Sequence, residues 1–276
     1  MRIALTLLLL YALVMTFGGC ADTLLLHPPK GHIDAGRAMR MTVQSKGRDV
    51  EIWTARSPAA ATDDDVEAHV LEFCGNATRA EQITQYVADR WRRFPVDVWV
   101  MNYPGYGGSA GSARLGDFPP AALATYDALR RRAGDKPIFL CGNSLGTTSA
   151  LYLAANRPTA GLILQNPPPL RRLLLGNYGW WNLWLAAGPV ALQVPAELNA
   201  TTTAPHCDAP AVFLSASNDE VVPRKYHRVV YDAYKGEKRL IEISGATHGS
   251  SVKGDAEQQL QKGMDWLWGQ QDRGHR

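Results

Sequence analysis

The sequence is short of cysteine, of charge imbalance and of long apolar runs, and each scarcity removes a class of protein. Four cysteines in 276 residues, at Cys20, Cys74, Cys141 and Cys207, are too few for a disulfide scaffold. With Cys20 set aside for the lipid anchor described below, three remain, so no complete pairing exists. Cys74 and Cys141 both end apolar runs that read as strands. A disulfide between them and two small buried thiols are the alternatives, and the thiols suit the setting better. A net charge of +3, evenly spread, excludes a basic nucleic-acid face. Neither Gly-x-x-x-x-Gly-Lys nor Gly-x-Gly-x-x-Gly occurs, which removes the common phosphate-binding loops. His206-Cys207-Asp208 has no partners at ligand spacing, and Asp63-Asp64-Asp65 reads as a solvated loop, so neither metal nor cofactor is expected. There is no internal repeat.

The one long apolar run is at the amino terminus. Met1-Arg2 supplies a positive charge, and residues 3–17 are almost continuously apolar. About fifteen residues suit the h-region of a signal peptide better than a membrane span of roughly twenty. Gly18-Gly19-Cys20 follows, and small residues before a cysteine resemble a bacterial lipobox. Phe17 departs from the usual leucine. That resemblance implies cleavage after residue 19 and a lipid on Cys20, with an ordinary secretory signal or an uncleaved anchor as the alternatives. Ala21 after the cysteine implies sorting to the outer membrane on its periplasmic side. The expected divisions are a signal peptide at 1–19, an anchored lead-in at 20–38 and a folded domain at 39–272.

The densest chemistry lies in Ile138-Phe139-Leu140-Cys141-Gly142-Asn143-Ser144-Leu145-Gly146. An apolar strand runs into Gly-x-Ser-x-Gly, and helical spacing follows through Leu151, Tyr152 and Leu153. Strand, sharp turn and helix are the setting of a nucleophile elbow, which holds a serine hydroxyl clear of the sheet beside a helix N-terminus. Gly107-Gly108-Ser109-Ala110-Gly111 matches the same spacing. It lies between loops, so Ser109 lacks the helix an elbow needs.

Around this stretch, strands and helices alternate. Residues 40–45 and 49–55 form a hairpin about Lys46-Gly47-Arg48, and strands follow at 70–74, 96–101, 138–143, 162–165, 211–215 and 240–243. Helices are predicted over 81–93, 119–132, 222–234 and 254–268. The pattern predicts an α/β fold: a mostly parallel eight-stranded sheet with helices on both faces. After the sixth strand, residues 167–200 form an apolar insertion containing Trp180-Trp181, Trp184-Leu185 and Arg171-Arg172. Such a cap can line an acyl pocket, touch membrane, or simply pack on itself.

A serine needs a base, and the base an orienting carboxylate. His248, in Gly245-Ala246-Thr247-His248 beyond the last strand, is in place for the base. His69 starts a strand, His227 falls inside a predicted helix, and His275 is in the tail. Asp219 follows the seventh strand and is the expected acid, with Glu220 as fallback and a helix-capping role as its bland alternative. Backbone N–H groups of Leu145 and of Asn76, in Gly75-Asn76-Ala77, are the expected oxyanion donors, with Ala77 next.

Taken together, Phe73-Cys74-Gly75-Asn76-Ala77, residues 102–109, Gly142-Asn143-Ser144-Leu145-Gly146, Asn218-Asp219-Glu220-Val221-Val222-Pro223 and Gly245-Ala246-Thr247-His248 resemble the serine α/β-hydrolase superfamily. They are closest to its depalmitoylase-like and bud-emergence-type branch, whose order is also Ser, Asp, His. Cys74 stands where that branch has histidine, which implies altered loop support. Ser217-Asn218 also departs from the usual glycine-containing lead to the acid. The resemblance implies an α/β-hydrolase fold and cleavage of a carboxylic ester or thioester through an acyl-enzyme, without a cofactor. It implies a small or lipid-like ester substrate, with membrane contact through the lipid, no nucleic acid and no evident protein partner. A serine peptidase, or a lipid-anchored envelope or binding protein on a hydrolase scaffold, are the alternatives.

Overall fold

Two strands open the sheet as a hairpin, β1 (Met39–Ser45) and β2 (Arg48–Arg56). Their turn is Lys46-Gly47 alone, because Ser45 already pairs with Arg48. Both turn residues have positive φ, at 50° and 70°, the geometry that matches the twist of paired strands. The computed structural model describes residues 2–29, 33–180 and 185–271, so Met1, Trp181, Trp184, Asp272 and His275 lie outside the described residues.

The remaining strands are β3 (Ala68–Phe73), β4 (Val96–Met101), β5 (Ile138–Asn143), β6 (Gly161–Gln165), β7 (Ala211–Ala216) and β8 (Lys238–Ile243). Their order is β1-β2-β4-β3-β5-β6-β7-β8. β2 runs antiparallel to both neighbours, and every other pairing is parallel. The exchanged order of β3 and β4 brings β3 beside β5, so the loops after both strands meet at one sheet edge. Ligands of open α/β sheets bind at that carboxyl edge.

Helices cover both faces, which is why the central strands β5, β6 and β7 read as largely apolar runs. In β5, Ile138 and Leu140 enter one core and Phe139 and Cys141 the other. The first core holds α4 (Phe118–Ala133), α5 (Leu145–Ala154) and α9 (Arg224–Ala233). The second holds α3 (Ala80–Arg90) and α10 (Asp255–Gln270) around Trp91, Phe139 and Met264. Each large aliphatic side chain buried this way contributes about 1.5–3 kcal/mol. α9 begins two residues later than the periodicity suggests. Asp219 Oδ1 accepts from the N–H groups of Val221 and Val222, holding them in a turn until Pro223 releases the chain into helix.

The insertion after β6 folds into α6 (Leu170–Tyr178), α7 (Ala187–Leu192) and α8 (Ala200–Thr203). Leu174, Val190, Val194 and Leu198 pack into the first core, whereas Trp180 and Leu192 face outward. At the other end of the chain, α1 (Arg2–Phe17) is apolar and is followed by α2 (Cys20–Leu25). No helix among the described residues is long and apolar enough to cross a membrane. Ala21 and Leu26 are buried in the first core, and Asp22 accepts from the N–H of Leu115. The lead-in is therefore packed against the domain. Cys74, Cys141 and Cys207 are buried free thiols, and Cys207 donates to the Leu151 and Thr203 carbonyls.

Candidate active site

Three stretches far apart in sequence end at the carboxyl edge of the sheet. Ser144 joins β5 to α5 with φ 49° and ψ −120°, a strained conformation for a residue with a side chain. The turn is held because Ser144 N–H donates to Gln165 at 2.8 Å. Its tightness depends on glycine. A Cβ on Gly146 would lie 2.1 Å from the Phe73 carbonyl oxygen, and one on Gly142 would lie 2.6 Å from Gly146 C.

His248 Nε2 lies 2.9 Å from Ser144 Oγ, and His248 Nδ1 lies 2.7 Å from Asp219 Oδ2. A carboxylate can only accept, so Nδ1 carries the imidazole proton and Nε2 presents a lone pair to the serine hydroxyl. Burial works to raise the Asp219 pKa. The close approach of His227, the hydrogen bond from His248 and the Val222 N–H outweigh it, holding the carboxyl well below its usual range. The acid is therefore anionic at neutral pH. One oxygen of Asp219 orders its own turn and the other faces His248, while α9 starts only after Pro223 and is not capped by Asp219. Glu220 beside it is exposed.

Asn166, buried at the end of β6, ties the edges together. Its side chain donates to the His248 carbonyl at 3.2 Å and accepts from Ala216 N–H at 2.9 Å. Sequence reasoning passed over it, although a polar residue directly after a strand at this edge is a usable signal. Ser109, the other Gly-x-Ser-x-Gly serine, is structural. Its hydroxyl accepts from Glu51 N–H and donates to the Asn102 carbonyl, both at 2.8 Å.

The loop after β3 carries the expected oxyanion donors. Ala77, at φ 58°, turns its N–H onto the Asn76 side chain at 3.1 Å, which removes it as the fallback donor. Among the described residues, the N–H groups of Asn76 and Leu145 meet no protein acceptor. The Asn76 amide is fastened by the lead-in: it donates to the Leu25 carbonyl at 2.6 Å and accepts from His27 N–H at 3.0 Å. Tyr106 also donates to it at 2.9 Å; burial pushes that hydroxyl up to about 12, so it keeps its proton. The loop is thus held by segments that the sequence does not place nearby.

A cavity of about 450 Å³ opens at Ser144 and His248, lined by Leu25, Asn76, Leu145, Leu170, Leu173 and Val222 among others. Its wall is mostly apolar, and its polar side chains are His27, Asn76, Thr78, Asn143, Ser144 and His248. The cap thus supplies Leu170 and Leu173 to the cavity and keeps Trp180 outside.

The profile of the alpha/beta hydrolase fold matches residues 85–206. Est1E of Butyrivibrio proteoclasticus, solved with ferulic acid, superposes with a TM-score of 0.68 at 17% identity, covering 83% of this chain and 98% of that one. The chain has the α/β-hydrolase fold. The fold's sequence relatives include a lysophosphatidylserine lipase of Danio rerio, 28% identical over 161 residues, which are 52% of this chain and 41% of that protein. Human alpha/beta hydrolase domain-containing protein 17B is 30% identical over 131 residues, 46% of this chain and 43% of its own length. The chain thus spans less than half the length of these two relatives.

Proposed function

We propose that the protein is a serine hydrolase cleaving a carboxylic ester or thioester through an acyl-enzyme. The observation carrying this reading is the hydrogen-bonded series Ser144, His248, Asp219 at the mouth of an apolar cavity. Ser144 Oγ attacks the acyl carbon as its proton passes to His248 Nε2. The imidazolium is stabilised by Asp219, and the oxyanion by the N–H groups of Asn76 and Leu145 at the α5 N-terminus. The carbon–oxygen or carbon–sulfur bond then breaks, His248 returns the proton to the leaving group, and water repeats the sequence to release the acid. The lipase among the relatives supports an ester substrate, and the leucines of the cavity wall suit an apolar acyl group.

Residues 1–19 are read as a signal peptide and Cys20 as a lipidated anchor in the cell envelope, supported by the apolar run ending in Gly18-Gly19-Cys20. Partition between membrane and soluble fractions is the test of that anchor.

The chemistry is tested by labelling with a fluorophosphonate, beside Ser144→Ala. Labelling and ester turnover should both vanish in the variant, since loss of a triad serine costs about six orders of magnitude in turnover. A folded wild-type protein that neither labels nor turns over short-chain esters or amides would support a binding protein on this scaffold. Faster amide than ester cleavage would support a peptidase.

A further inference from the structure

His227, which the sequence places on a helix and away from the chemistry, is 3% exposed and faces the acid of the site. Its Nε2 lies 3.3 Å from Asp219 Oδ2, the same oxygen that meets His248 Nδ1. Its Nδ1 lies 2.8 Å from the hydroxyl of Ser215, itself buried on β7. The result is a continuous series, Ser215, His227, Asp219, His248, Ser144, with one carboxylate shared by two Ser–His pairs.

The tautomer of His227 follows from its neighbours. Asp219 has no proton to offer, so a bare Nε2 lone pair facing it would be repelled, and Nε2 carries the hydrogen. Nδ1 then accepts from the Ser215 hydroxyl. The approach of Nε2 to Asp219 is oblique, not a straight hydrogen bond, so its effect is mainly that of a dipole directed at the charge. Ser215 does not duplicate Ser144. It lies within a strand whose backbone is committed to the ladders with β6 and β8, which leaves no turn for an oxyanion hole.

From this geometry we infer that His227, set by Ser215, is a positioning residue for the catalytic acid, partly neutralising Asp219 and holding its carboxylate in the plane that His248 needs. The inference rests on the proposed triad. Other charged groups near His227 line the cavity behind it: Arg224, Lys225, Arg228 and Glu242. Arg224 pairs with Glu242 and Arg228 with Asp232. Asp219 is the carboxylate that faces the buried ring itself.

The test uses the full chain with His227→Phe, His227→Gln and Ser215→Ala, measuring the labelling rate and the kcat/KM of an activated ester against pH. Without the His227 dipole the Asp219 charge is less compensated and attracts the proton at His248 Nδ1 more strongly. In His227→Phe the acid limb should therefore move up by roughly half to one pH unit, with activity on the plateau about 10–100-fold lower. His227→Gln, which restores an N–H toward Asp219, should return most of both changes. Ser215→Ala should shift the limb in the same direction by less, and it decides the matter if His227→Phe does not fold. An unmoved acid limb in the folded variants would overturn the inference, as would equal losses in His227→Phe and His227→Gln, which would signify packing alone. Failure of Ser144→Ala to abolish labelling is a separate result, and it would remove the triad reading itself.

Discussion

Ser144 is held in a conformation that only its surroundings enforce, with φ at 49°, and such strain costs on the order of 1–3 kcal/mol. Glycine adopts it freely but loses about 0.5–1 kcal/mol through a more flexible unfolded chain. Ser144→Gly should therefore be inactive yet more stable, by on the order of 1 kcal/mol. Thermal unfolding checks this: a melting temperature at or below wild type would show that the turn is not strained. Asp219 carries a different conflict. Burial opposes its charge, and the contacts from two histidines and a backbone N–H overcome that opposition. Of those partners, His248 is legible in sequence because it follows the last strand. His227 is not, because a buried histidine on a helix has the same sequence signature whatever it faces.

At the scale of elements, the elbow is a contact between three backbones. β3, β5 and the first turn of α5 approach so closely that a methyl group at Gly146 would overlap the Phe73 carbonyl, 2.1 Å from its oxygen. Gly146→Ala should destabilise the protein by about 3 kcal/mol or more, since relief requires moving backbone and not a side chain. Its urea midpoint would fall accordingly; an unchanged midpoint would mean that β3 and α5 can separate without cost. The same three elements explain what sequence patterning could and could not supply. Alternation and apolar runs mark β3, β5 and α5, and Gly-x-Ser-x-Gly marks the turn between the last two. That β3 rather than β4 lies beside β5 is a matter of strand order, which no local pattern encodes. The lead-in is the clearest omission: nothing in residues 20–27 signals that Leu25 and His27 clamp Asn76.

For the whole molecule, that clamp bears on the proposed anchor. Leu25 lines the cavity at Ser144 only five residues beyond Cys20, a chain distance of at most about 18 Å. A lipid on Cys20 would thus hold the cavity mouth close to the bilayer rather than at the end of a tether. Cys20→Ala should release the protein from the membrane fraction while leaving ester turnover in detergent near wild type, because Cys20 lies outside the hydrogen-bonded series Ser144, His248 and Asp219. Undiminished partition of the variant with membranes would remove the anchor.

Local pattern sufficed for the α/β alternation and pointed to the elbow at Ser144 and to Asp219 and His248 as its candidate partners, because periodicity, turn chemistry and position after a strand are local properties. Tertiary structure alone decided that Asn166 braces the His248 loop, that the lead-in fastens Asn76, and that His227 backs Asp219. These are contacts between segments 49, 82 and 8 residues apart in sequence, and what brings them together is the packing of whole strands and helices.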